Sequence, residues 1–144
     1  MLALTPLCGS LMPGNAGVAA TNCAAVRAKS SKELLGLIKK LRVGGAKVVV
    51  TRERLKQPFF STPAGIMNIN GESVQVFEFP QVLAAEKEAM RVSPDGMTIG
   101  TSKPSWMAPP HFFKSGRLIV LYVGNEPTIL KLLHDVLEKQ FAGQ

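Results

Sequence analysis

At 144 residues, with 46% hydrophobic and 19% charged side chains and a mean hydropathy of +0.15, the chain has the makeup of one folded domain. That composition excludes an intrinsically disordered protein, and the length suffices for a core without disulfide or metal support. The net charge of +7 is confined to one stretch, because residues 27–57 hold ten basic side chains against Glu33 and Glu53 while the rest of the chain is close to neutral.

Residues 1–28 read as a leader-like or disordered segment preceding a single domain over 29–144. The first 26 residues carry no charge and are rich in Ala, Gly and Leu. Pro6 and Pro13 break the apolar run, so the segment lacks the roughly eighteen consecutive apolar residues of a transmembrane helix. Under the leader reading, Cys23 and Cys8 are the candidate lipid-attachment sites. Cys8 follows Thr-Pro-Leu and Cys23 follows Ala-Thr-Asn, however, and neither context matches a lipoprotein cleavage sequence. With no His, Asp or Glu nearby, the two cysteines make no metal site.

The first helix is predicted from Ser30 and Glu33, which have capping-box spacing, followed by Leu34, Leu35, Leu37, Ile38 and Leu41 as an apolar stripe. Gly44-Gly45 ends it. A β-branched strand follows at 46–51, with a polar continuation at 52–57 and a proline-bounded segment at 58–63. Residues 65–70 and 72–79 form a hairpin about Asn70-Gly71. In its second strand the polar Gln75 and Glu78 predict one wet face. A helix is expected over 81–91, and the Ser-Pro-Asp-Gly at 93–96 is a turn. Residues 97–103 read equally as strand or loop.

Residues 106–124 then form a second hairpin turning at Ser115-Gly116, whose return strand is an unbroken apolar run. Glu126-Pro-Thr to Phe141 reads as the last helix, with Pro127 in its first turn. The expected architecture is α+β: a mostly antiparallel sheet of four to six strands with helices packed on one face.

The chemistry is sparse. The sequence has no P-loop, no GxGxxG after a strand and no GxSxG elbow, and no cofactor is expected. His111 follows Pro109-Pro110 but has no neighbouring acid–base partner, so a structural role is favoured over a small enzyme with an unfamiliar site around it. His134 lacks metal-ligand spacing. Phe112, Phe113, Tyr122 and Trp106 are expected to serve core packing beneath the last helix rather than as a stacking platform. Trp106, Pro110, His111 and Arg117 are the candidates for a surface binding site, because the Ala-Pro-Pro-His entry is rigid enough to present His111. Lys39, Lys40, Arg42, Arg52 and Arg54 are the candidate contacts for a polyanion.

From Gln57 to Ala142 the chain resembles a group of uncharacterised small bacterial proteins, many described as lipoproteins or exported proteins. The resemblance rests on Gln57-Pro-Phe-Phe60, on Asn70-Gly71 with Val74-Gln-Val-Phe-Glu-Phe79, and on Arg91-Val-Ser-Pro-Asp-Gly96 with Ile99-Gly-Thr101. Its most distinctive parts are Trp106-Met-Ala-Pro-Pro-His-Phe-Phe113 and Gly116-Arg-Leu-Ile-Val-Leu-Tyr-Val-Gly124. The resemblance implies an envelope or exported setting and carries no activity. The expectation is therefore a non-enzymatic envelope domain with a binding role and a protein or membrane-surface partner. A cytosolic module holding nucleic acid through residues 27–57 is the alternative.

Overall fold

The computed structural model describes residues 31–137 and 139–143. The capping position Ser30, the cysteines Cys8 and Cys23 and the whole leader-like segment lie outside them. The described elements are α1 (Lys32–Val43), β1 (Val48–Leu55), β2 (Ala64–Ile69), β3 (Glu72–Glu78), α2 (Val82–Met90), β4 (Pro110–Ser115), β5 (Leu118–Val123), α3 (Pro127–Val136) and β6 (Lys139–Gly143). The strands form one antiparallel sheet in the order β1-β2-β3-β5-β4-β6, which gives the expected α+β class.

Local chemistry explains the turns. Asn70 (φ 52°) and Gly71 (φ 91°) occupy the left-handed region, as a two-residue hairpin turn requires, and the Asn70 side chain accepts from the backbone N of Lys47 at 2.8 Å. The first helix closes with Gly45 at φ 92°. Its acidic residue reaches the sheet: Glu33 Oε2 accepts from the backbone N of Arg117 at 2.8 Å and Oε1 from the guanidinium Nε at 3.3 Å, tying α1 to the β4–β5 turn.

The central strand β5 explains why its sequence does not alternate. Leu118, Val120 and Tyr122 face one core with Leu37, Leu41, Ile129 and Leu133 of α1 and α3. Ile119 and Leu121 face a second core with Phe59, Phe60, Phe77, Phe79 and Phe112. Covered on both sides, the strand has no polar position to spare. Two helices thus share one face as expected, while Ala85 of α2 and the segments around residues 59 and 99 cover the other. Full burial of each such Phe contributes about 1.5–3 kcal/mol. The rings meet edge-on, with centroids 4.8 Å apart for Phe60–Phe77 and 6.5 Å for Phe60–Phe112.

The end of the chain departs from its sequence reading. Instead of one helix to Phe141, α3 stops at Val136, Leu137 is extended (ψ 154°), and β6 pairs with β4. The reason is non-local. The outer edge of β4 offers unpaired backbone groups, and the Phe141 and Ala142 side chains find the second core beside Phe112. Residues 97–103 resolve into isolated bridges, Val92 to Ile99 and Ile99 to Ser102, rather than a strand.

Candidate functional site

One face of β3 carries Ser73, Gln75, Phe77 and then Phe79, which lie on the same side by strand alternation. The Phe77 and Phe79 end is buried under the second core, whereas the Ser73 and Gln75 end is not. The wet face expected of this strand is therefore wet over half its length. An open groove of about 720 Å³ lies there, walled by Gln57 and Phe59 on one side and by the 102–108 segment on the other.

That second wall is held by Trp106. Its indole N–H donates to the carbonyl of Gly96 at 2.9 Å, and its ring lies 5.8 Å from Phe59 and 6.0 Å from Phe112. Gly96 is itself fixed by a tight turn, in which the Asp95 carboxylate accepts from the Ser93 hydroxyl at 2.5 Å and from the backbone N of Met97 at 3.0 Å. The Ser93 hydroxyl, and behind it the Met97 amide, hold the Asp95 carboxyl below its ordinary value. Beyond Trp106, Met107 is 99% exposed at the rim.

The polar equipment of the groove is mostly neutral. Gln57 donates through Nε2 to Oε1 of Gln75 at 2.9 Å. This leaves the Oε1 of Gln57 as an acceptor and the Nε2 of Gln75 as a donor, alongside the hydroxyls of Ser73, Ser102 and Ser105. Lys103 is the one ionisable side chain among the lining residues. Such a lining suits hydrogen-bonded recognition over an aromatic floor and offers no acid–base pair for proton transfer.

The candidates from sequence scatter. Trp106 lines the groove. Pro110 and His111 are buried, so the rigid Pro-Pro entry does not present the imidazole at a surface. His111 points to the opposite face of the sheet, stacked on Tyr122 with ring centroids 6.2 Å apart. Its Nε2 lies 3.1 Å from the carbonyl of Gly124 and its Nδ1 3.3 Å from the side-chain amide of Gln140. Both contacts are satisfied by a neutral ring that donates from Nε2 and accepts at Nδ1. Burial pushes the imidazole below its ordinary value, and the nearby His134 adds to this, against the opposing bonds to Gly124 and Gln140. A ring so occupied is a structural one, and the geometry gives no support to His111 as a base.

Arg117 sits at the far end of the hairpin from Trp106, separated by the six residues of β4, about 20 Å. There its Nη1 donates to the carbonyls of Phe79 and Pro80. Its Nη2 lies 3.7 Å from Glu78 Oε2, an oxygen that is buried with no hydrogen-bond partner. Phe113 and Tyr122 do pack under the α3 face, and His134 meets Phe113 edge-on at 5.1 Å, but Phe112 and Trp106 belong to the other core. Lys39, Lys40 and Arg42 lie on α1, and Arg52 and Arg54 on β1, all exposed and none among the residues lining the groove.

Gln57, Gln75 and Lys103 were not singled out by sequence reasoning as site residues. The signal that could have found the groove was the switch from Ser73 and Gln75 to Phe77 and Phe79 on one strand face. Comparison of the chain with family models, with curated proteins and with solved structures gives no match.

Proposed function

We propose that this chain is a non-enzymatic binding domain of the bacterial cell envelope, holding an extended polypeptide segment of a partner protein in the Gln57–Gln75–Trp106 groove. The observation that carries the reading is the amide pair. With one hydrogen bond spent between the two side chains, an acceptor on Gln57 and a donor on Gln75 remain, the complement of a peptide N–H and C=O. Phe59 and Trp106 supply an apolar floor, and the exposed Met107 is a polarizable, adaptable side chain suited to varied sequences. The envelope setting rests on the uncharged leader-like segment and on the family resemblance, both read from sequence.

Two measurements test the two halves of this reading. Selection of a random peptide library on the immobilised protein is expected to enrich peptides that lose binding to Gln75→Ala and Trp106→Phe variants. Enriched peptides indifferent to both changes would remove the groove as the binding site. Fractionation of the native host is expected to place the chain in the envelope, and an unprocessed chain wholly in the cytosol would overturn that location.

A further inference from the structure

We infer that the α1–β1 edge of the domain docks on an anionic phospholipid surface. The cations there are massed without carboxylate partners. Among the described residues Arg91, Lys114, Arg117 and Lys131 each sit against a carboxylate and Lys87 and Lys103 stand singly, whereas on this edge Lys39, Lys40, Arg52 and Arg54 together pair with none, and Arg42 donates to the carbonyl of Val48 at 3.1 Å. Glu33, the acid of α1, is engaged by Arg117, which leaves Glu53 as the one carboxylate among the described residues of this edge.

Arg42 and Arg54 share a side with Leu35 and Val50. Arg42 bridges the end of α1 to the start of β1. Leu35 precedes it by two helical turns and so lies on the same flank. Val50 has the strand parity of Val48, whose side chain enters the core under α1. A guanidinium nitrogen of Arg54 lies 3.7 Å from the position a Cβ would take on Gly65, a residue whose parity matches Met67 and Ile69 of that same core. The edge therefore turns Arg42 and Arg54 and the apolar Leu35 and Val50 to the α1 side.

The aliphatic side chains select the partner. Leu35 is 54% exposed, Val43 80% and Val50 44%, interleaved with the unpaired cations. A nucleic-acid surface needs the cations alone, because phosphate contacts supply its affinity. A bilayer surface rewards both, the cations through the anionic headgroups and the aliphatics through shallow insertion. No helix among the described residues is long and apolar enough to cross a membrane. None of these cations lines the groove.

The test is co-sedimentation of the full chain with vesicles of phosphatidylcholine, with and without phosphatidylglycerol, at low and physiological salt. Binding is expected only with phosphatidylglycerol and weakens as salt rises. Each basic residue lost from the surface weakens partitioning about fivefold, so Arg52→Gln with Arg54→Gln lowers it about twenty-fivefold. Lys39→Gln with Lys40→Gln on the helix gives an independent loss, and Leu35→Ser with Val43→Ser lowers the part that persists at high salt. Gln75→Ala leaves vesicle binding unchanged, which separates this surface from the groove.

Absence of vesicle binding overturns the inference, as does equal binding to neutral vesicles. So does salt-independent binding that the arginine variants leave intact, the behaviour of attachment through the uncharged residues 1–26. Binding of a DNA duplex without vesicle binding assigns the surface to nucleic acid instead.

Discussion

Gln57 and Gln75, eighteen residues apart in sequence, join their side-chain amides at 2.9 Å across the floor of the groove. Gln57 belongs to the segment after the edge strand and Gln75 to the interior of the sheet. The bond therefore fixes a wall onto a floor and orients the two groups left to meet a ligand.

Replacing Gln75 with Ala removes both the fixing bond and the free donor. One neutral hydrogen bond contributes about 0.5–1.5 kcal/mol, so peptide binding is expected to weaken about two- to twelvefold per bond lost. The fold should lose little, because the groove is open and water replaces the amide. Titration calorimetry with a selected peptide, beside a melting curve, checks both. A large fall in melting temperature with unchanged affinity would give the pair a structural role alone.

Arg117 carries a different kind of weight. Replacing it with Met strips Glu33 Oε1 and the carbonyls of Phe79 and Pro80 of a donor, while the backbone bond to Glu33 Oε2 stays, and leaves the buried Glu78 Oε2 without its cation. A loss of about 2 kcal/mol in urea unfolding is expected. Adding Glu78→Gln to that variant should restore part of it, since the orphaned charge is then gone. Strict additivity of the two changes would show that the pair does not interact.

The buried imidazole makes stability depend on pH. In the folded protein burial holds His111 below 6.5, so the unfolded chain binds the proton more readily. The stability linked to this group is present above pH 6.5 and is lost as pH falls through the folded value. The neighbouring charge of His134 on α3 acts in the same direction, and Tyr122, stacked on the ring, stays protonated because burial pushes its hydroxyl up. His111→Phe keeps an aromatic ring over Tyr122 and is expected to flatten the decline below pH 6.5 while lowering stability at neutral pH by about 1–3 kcal/mol. Melting curves across that range decide it, and an unchanged decline would place the effect elsewhere.

Gly96 tests how the second wall is held. Its φ is 73°, and an added Cβ would lie 3.2 Å from Phe112, Pro110 and the backbone of Gly143. Gly96→Ala is expected to cost about 1–3 kcal/mol and to displace the carbonyl that accepts from Trp106. Because Trp106 is the sole tryptophan, its emission reports the movement directly. A red shift with weakened peptide binding is expected, and unaltered emission would mean that the aromatic contacts alone position the ring.

Much of the fold was legible because its signals are local. The Leu34–Leu41 stripe, the Asn70-Gly71 turn and the polar break at Ser115-Gly116 each specify their elements within a few residues. The β6 strand was not legible, since residues 139–143 become a strand only where the edge of β4 is open beside them. The same limit governs His111. Its chain neighbours favour a structural imidazole yet leave a presented one open, and only Gly124 and Gln140, brought in by the sheet, show that both nitrogens are spent.

By itself, the sequence determined the α+β class, the hairpins, the aromatic content of the core and the confinement of positive charge to one stretch. All of these follow from periodicity, turn chemistry and composition, which act over short distances along the chain. The tertiary structure decided which face of the sheet each aromatic serves and where cover over β3 stops. It also decided that Gln57, Gln75 and Trp106 share a groove while Arg117 lies at the other end of the hairpin. Those outcomes depend on strand order and on which segments cross which face, and long-range pairing free energy fixes both.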